Sequence, residues 1–432
     1  MRRWRFLVLP FCLGLLVSLP NFRVNADEKP RTLIADPPRQ PKGALLIAGG
    51  GVRNDNQEVW KRLIQLASDY ARQQGEPPDQ PPRIAVLPTA AWDPRTIGER
   101  AAASLRLHGA EAFVVPIALL NSPIDHSVAV RDPEILRQIR SAHGIYFTGG
   151  QQSRIVQVLT TAEQQQTPAL QAIWDVYDAG GVIAGSSAGA AVMSQVMCRE
   201  MGRQLNVLEN GITHGKETSS GLGFLPADWF VDQHFLIRGR LARALVVTRH
   251  HQLPHGLGID ENTALVVRQN ETEVIGYKGA LWFDLTKASS QGEEPGFNIR
   301  NVRLSYLDRG DRLNMQTLEL TPAPEKQKEP VIDPTSPQFE PGNDEPIFTT
   351  EILGNTTFLD VMRRLMNNKN DHAIGLAFDA QAARKGPVPA YEFRFYRDSD
   401  TRAWPPGVLE DYTISNVHLD VRRVEFAGIS YR

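Results

Sequence analysis

The chain has 432 residues, 41% of them hydrophobic and 22% charged, an ordinary balance for a globular protein and enough chain for a large domain with an appendage, or for two domains. A formal net charge of −2 supplies no basic footprint, so no nucleic-acid partner is expected. Two cysteines, Cys12 and Cys198, exclude a disulfide scaffold.

The N-terminus differs in kind from the rest. Met1 to Arg5 is basic, Phe6 to Leu19 is apolar, and Val24-Asn25-Ala26 places small residues at a cleavage site. This reads as a signal peptide over residues 1–26, cut near Ala26, and so as an exported protein, periplasmic or extracellular. The competing reading is a retained anchor, but the apolar run is broken by Pro10 and short for a span, so no stable membrane span is expected. Cys12 leaves with the leader, and Cys198 reads as a small buried hydrophobe in the helix after residue 187. Residues 27–43 are a proline- and charge-rich lead-in.

Short apolar runs then alternate with helical patterns. Ala44–Ala48 reads as a buried strand ending in Gly49-Gly50-Gly51, which fits neither phosphate-loop pattern and is taken as a tight turn into the helix around Glu58–Gln73. Arg83–Leu87, Ala112–Pro116 and Gly144–Thr148 are further strands separated by helices. The pattern predicts an α/β fold with a mostly parallel sheet flanked by helices, in which ligands gather beyond the carboxyl ends of the strands. Two such ends carry unusual residues. Gly144–Thr148 runs into Gly149-Gly150-Gln151-Gln152, and Val182–Ala184 runs into Gly185-Ser186-Ser187-Ala188-Gly189. The second matches G-x-S-x-G, in which a sharp strand-to-helix turn exposes one serine and small neighbours let the chain pass close by. A plain Gly/Ser/Ala turn has the same composition, so the motif needs partners.

Candidate partners lie further along the chain. Asp232-Gln233-His234 precedes Arg238, Arg240 and Arg243, a concentrated positive group suited to an anionic ligand, or else a solvated helix face. Leu257–Val267 reads as strand, acidic turn, strand, with Glu261 in the turn. Such a carboxylate can orient a histidine, although a solvated hairpin turn is the simpler reading. No HExxH or CxxC accompanies His250, His251 and His255, so neither a metal nor a cofactor is expected. Residues 272–285 read as a hairpin, and 297–320 as β structure closing a main domain at 44–320. Residues 321–348, with seven prolines, read as a linker, and 349–432 as a small α+β appendage without identifiable chemistry. Ile299–Leu304 echoes Ile414–Leu419.

Taken together, Gly149-Gly150-x-Gln152, Gly185-x-Ser187-Ala-Gly, the Asp232-Gln-His-Phe…Arg-Gly-Arg…Arg243 block and Gly258-Ile-Asp-Glu261 resemble cyanophycinases, serine peptidases of the family that also includes α-aspartyl dipeptidases. The resemblance covers about residues 45–304. It implies a sandwich like class I glutamine amidotransferases and flavodoxin, and a Ser187–His234–Glu261 triad. It also implies an oxyanion site at the Ala188 and Gly150 N–H groups, and substrate contacts from Gln152, Asp232, Gln233, Arg238, Arg240 and Arg243. The implied substrate is an aspartate-rich polymer or peptide: cyanophycin, cut from the chain end to β-Asp-Arg, or short aspartyl and isoaspartyl peptides. A homodimer is also implied. Gln151 stands where cyanophycinases more often carry aspartate, and the leader and tail depart from the compact intracellular form. An inactive binding protein that keeps the pocket is the alternative of another class.

Overall fold

The computed structural model describes residues 41–290, 295–406 and 411–428. The leader and most of the lead-in lie outside the described residues. Strand Ala44–Ala48 is buried on both faces. Leu46 packs with Val59, Leu63, Leu66 and Leu105 of helices Gln57–Gln73 and Pro94–Leu107. Leu45 and Ile47 face the other way, into a core with Ile135, Ile155, Leu170 and Ile173 of helices Pro133–Arg140, Gln152–Leu159 and Pro168–Ala179. The strand is an almost continuous apolar run because the two-residue side-chain period feeds two cores.

Five strands form the parallel part of this first sheet, in the order Ala44–Ala48, Val182–Ser186, Gly144–Phe147, Arg83–Leu87 and Glu111–Val114. Four antiparallel strands, beginning with Thr263–Arg268, extend it beyond Ala44–Ala48. The result is the expected flavodoxin-like α/β sandwich. The register brings three strand ends level. Ala48 pairs with Ser186 and Phe147 with Gly185, so Gly49, Ser187 and Gly149 emerge together at three adjacent carboxyl ends.

A second sheet begins at Trp229–Asp232 and runs through His255–Ile259, Ala280–Asp284 and Ile299–Leu307 into Thr413–Phe426, Val388–Tyr396, His372–Phe378 and Ile347–Thr349. Two expectations change here. Residues 272–285 are not a hairpin, because Glu271–Gly276 belongs to the first sheet and Ala280–Asp284 to the second. The stretch 349–432 is not a separate appendage either: Thr413–Phe426 inserts between Ile299–Leu307 and Val388–Tyr396, so the tail supplies half of one continuous sheet. Helix Thr357–Met366 buries Phe358, Met362 and Leu365 in the same core as Phe283 and Leu304.

Residues 321–348 are likewise tied down. Lys326 is fully buried, 3.0 Å from both Asp308 and the Thr413 hydroxyl, and Thr413 donates to Asp311 at 2.5 Å. Composition suggests a free linker, but a buried ammonium requires partners, and these come from two other parts of the chain, Asp308–Asp311 and Thr413. The echoed segments lie side by side and antiparallel, with Val302 opposite Leu419 and Leu304 opposite Val417. Their shared asparagines, Asn301 and Asn416, both adopt positive φ at the two register shifts, a conformation asparagine tolerates better than most residues. Among the described residues no helix is long and apolar enough to cross a membrane.

Candidate active site

Three glycine-bearing turns meet at the carboxyl ends of the central strands. Ser187 leaves its strand with φ 56° and ψ −110°, a conformation costly for a residue with a side chain, and caps the short helix Ala188–Ala191. Its N–H donates to the Ala48 carbonyl at 3.0 Å, which holds the turn against the neighbouring strand. The small residues around it are steric requirements. A Cβ on Gly185 would lie 2.3 Å from the Gly189 carbonyl oxygen, and one on Gly189 would lie 2.4 Å from that of Phe147. The two serines of the motif separate cleanly: Ser186 is buried, whereas Ser187 is half-buried and faces His234. Cys198 is buried as expected, but on strand Val196–Cys198 rather than a helix, because the helix after Ser187 ends at Ala191. Burial pushes its thiol up to about 12, so it is no nucleophile at neutral pH.

The other two groups arrive from the second sheet. Trp229–Asp232 and His255–Ile259 are parallel neighbours whose carboxyl ends deliver His234 and Glu261. Ser187 Oγ lies 2.7 Å from His234 Nε2, and His234 Nδ1 lies 2.5 Å from Glu261 Oε1. With Nδ1–H donated to the carboxylate, Nε2 is the acceptor facing the serine. Burial holds the imidazole below its ordinary pKa, and the Arg238 and Arg240 charges push the same way, while Glu261 opposes them. The acidic turn carrying Glu261 is no solvated hairpin. It crosses from one sheet to the other and is held by Asn56, whose side chain donates to the Asn262 carbonyl at 2.9 Å.

The Gly49-Gly50-Gly51 turn, read from sequence as a helix lead-in, is part of this site. His234 N–H donates to the Gly49 carbonyl at 2.7 Å and Asn262 N–H to that of Gly50 at 2.8 Å. Gly50 has φ 119° and passes directly beneath the imidazole, where a Cβ would lie 2.3 Å from Cε1. Gly51 does the same beneath Glu261, more loosely, at 3.3 Å from Oε2. Three glycines at a strand's carboxyl end carried that signal, but nothing in the sequence tied them to residues 234 and 261.

The remaining expected residues divide. A Cβ on Gly149 would lie 3.8 Å from Ser187 Oγ, so the Gly149-Gly150 turn flanks the serine. Neither the Gly150 nor the Ala188 N–H is engaged by another group among the described residues. Gln152 donates its amide to the Cys198 carbonyl at 2.7 Å, and Gln151 lies 3.4 Å from Glu200. Asp232 does not face an open space. Only 1% exposed, it receives Arg243 through two bonds of 2.7 and 2.5 Å, and Arg240 at 3.5 Å. Arg240 also donates to the Gln233 carbonyl, and the Gln233 N–H donates to Asp232 at 2.8 Å. Arg238 is different: it is exposed, and its guanidinium lies 4.0 Å from Glu261. All three arginines line one cavity of about 440 Å³.

Comparison with known proteins places the chain in a family. The chain is 31% identical over 242 residues to a cyanophycinase from Geminocystis herdmanii, covering 54% of this chain and 83% of that protein. It is 30% identical over 251 residues to one from Trichormus variabilis, covering 56% and 78%. A solved structure of a peptidase from an acI-B1 Actinobacterium aligns at a TM-score of 0.44, with 22% identity over 64% of this chain and 98% of that one. Residues 45–275 match Peptidase family S51, and the chain belongs to this family of serine-type peptidases.

Proposed function

We propose that this S51 peptidase is an exported exopeptidase that hydrolyses cyanophycin, multi-L-arginyl-poly-L-aspartate, from the chain end to β-Asp-Arg dipeptides. The observation that carries the chemistry is the unbroken line from Ser187 Oγ through His234 to Glu261, with bonds of 2.7 and 2.5 Å. In this reading Ser187 Oγ attacks the scissile carbonyl and His234 Nε2 takes its proton. Glu261 fixes the tautomer and stabilises the imidazolium. The carbonyl oxygen becomes an oxyanion between the Ala188 and Gly150 N–H groups. Collapse expels the amine, which takes the proton from Nε2. Water, deprotonated by the same nitrogen, then cleaves the acyl-enzyme. A base held below the ordinary imidazole pKa is neutral, as this cycle requires, at neutral pH.

Cyanophycin as substrate is supported by the relatives' shared activity and by the arginine-lined cavity beside the triad, which suits substrate carboxylates. Export is supported by the basic, apolar and small-residue order of residues 1–26. Gln151 gives reason to test short aspartyl peptides alongside, since a carboxylate there would have offered a charge to the substrate's arginyl group or amine. Purified protein incubated with insoluble cyanophycin should release β-Asp-Arg, and the Ser187→Ala protein should not. Cleavage of β-Asp-X dipeptides with the polymer left intact would overturn the polymer reading and keep the peptidase.

A further inference from the structure

The cavity beside the triad has one wall from outside the region shared with S51 peptidases. Arg203, Gln204, Arg238, Arg240 and Arg243 line it together with Leu353, which lies 78 positions beyond the end of the family match. Leu353 is firmly placed. Ile352 beside it is buried against Gly375 of strand His372–Phe378, where even a Cβ would meet its side chain at 2.6 Å. Thr356 N–H donates to the Leu236 carbonyl at 3.1 Å. The Leu353 carbonyl runs so close over Gly239 that a Cβ there would lie 2.1 Å away, and Gly239 has φ 53°. The tail therefore grips the arginine loop between Arg238 and Arg240 at its only residue without a side chain. The lining around Gln204 is held from the tail as well. Helix Gln204–Asn210 is fixed by the Tyr391 hydroxyl, 2.9 Å from the Leu208 carbonyl, and by Arg423 donating to Glu209 at 3.1 Å.

The charge of this cavity is one-sided. Four arginines line it and no carboxylate does; Asp232 sits behind it, spent mainly on Arg243. Among the described residues the four arginines are ion-paired only with Asp232 and, 4.0 Å from Arg238, Glu261, so the group carries positive charge in excess of its counter-ions. Burial and the neighbouring Arg243 and Arg238 lower the Arg240 guanidinium to about 10 against the pull of Asp232. An arriving anion would relieve that repulsion, and a planar carboxylate matches guanidinium geometry. We propose that the C-terminal segment 352–356 completes a carboxylate-binding subsite next to the triad, with Leu353 as a specificity-determining wall residue. This deepens the peptidase reading and rests on it for the subsite's role, although binding can be measured without turnover.

The test uses the full chain carrying Ser187→Ala, and titrates it by calorimetry with β-Asp-Arg and with the same dipeptide amidated at both carboxyls. The free acid should bind at least tenfold more tightly than the diamide. Adding Leu353→Asp should weaken acid binding about tenfold or more and leave the diamide within twofold, whereas Leu353→Arg should tighten acid binding. Opposite signs from two substitutions at one position cannot arise from misfolding. Equal binding of acid and diamide, or acid affinity unmoved by both Leu353 changes, overturns the proposal. Fluorophosphonate labelling of the wild type is measured separately: its failure alongside normal acid-selective binding would sink the serine chemistry and leave the subsite standing.

Discussion

Replacing Gly50 with alanine puts a methyl carbon 2.3 Å from His234 Cε1 and 2.5 Å from Nε2. An ordinary carbon–carbon contact is about 3.5 Å, so the imidazole must retreat by about 1.2 Å. The same nitrogen holds Ser187 Oγ at 2.7 Å, and a retreat of that size breaks the bond. Misplacement by about 1 Å costs on the order of 10²-fold in rate. The backbone adds a second effect, since a φ of 119° costs a residue with a side chain roughly 1–3 kcal/mol of stability. Gly51→Ala separates the two effects. Its φ is also positive, 58°, but its Cβ would stop 3.3 Å from Glu261 Oε2, a contact that a small shift relieves. The assay is the second-order rate of fluorophosphonate labelling, which needs the nucleophile and base but no substrate subsite. Gly50→Ala should label about 10²-fold more slowly and Gly51→Ala less than tenfold more slowly, both with intact far-ultraviolet dichroism. Labelling of Gly50→Ala within threefold of wild type would refute the placement of the glycine turn beneath the base.

Arg238→Gln removes a cation that disfavours protonation of His234. The imidazole pKa should rise, and the acid limb of kcat/KM should move to higher pH, so that activity is lost earlier on acidification; a limb that stays put or moves down contradicts this. Lys326→Ala leaves Asp308 and Asp311 buried without their ammonium partner and should cost about 3–5 kcal/mol in urea unfolding, whereas a surface lysine such as Lys61 should cost under 0.5 kcal/mol. Equal, small losses for both would mean that residues 321–348 are not stapled to the core.

The parallel half of the first sheet was legible because its strands are short apolar runs fed by two cores, whereas the Gly185–Gly189 turn singled out Ser187 only together with the other motifs, since a plain Gly/Ser/Ala turn has the same composition. His234 and Glu261 were singled out through the order of motifs, not their physics. His234 and Glu261 come from a different sheet from Ser187, and no local pattern announces that two strands in one sheet end where a third ends in another. The glycine turn at 49–51 does lead into helix Gln57–Gln73 as read, but its place beneath His234 and Glu261 was hidden for the same reason: those close approaches are to residues about 180 and 210 positions away. Asp232 illustrates a further limit, since a carboxylate among arginines looks like a ligand contact until its burial shows that it anchors Arg243. The tail was undervalued because prolines suggest a linker, whereas Lys326 and the Thr413–Phe426 strand bind it across the fold.

In the proposed mechanism Ser187, activated by His234, is the nucleophile. Labelling with a fluorophosphonate followed by peptide mapping tests it most directly. A single adduct on Ser187, absent from Ser187→Ala and formed far more slowly in His234→Ala, is the predicted result. No adduct, or an adduct on Ser186 or any other residue, would contradict it.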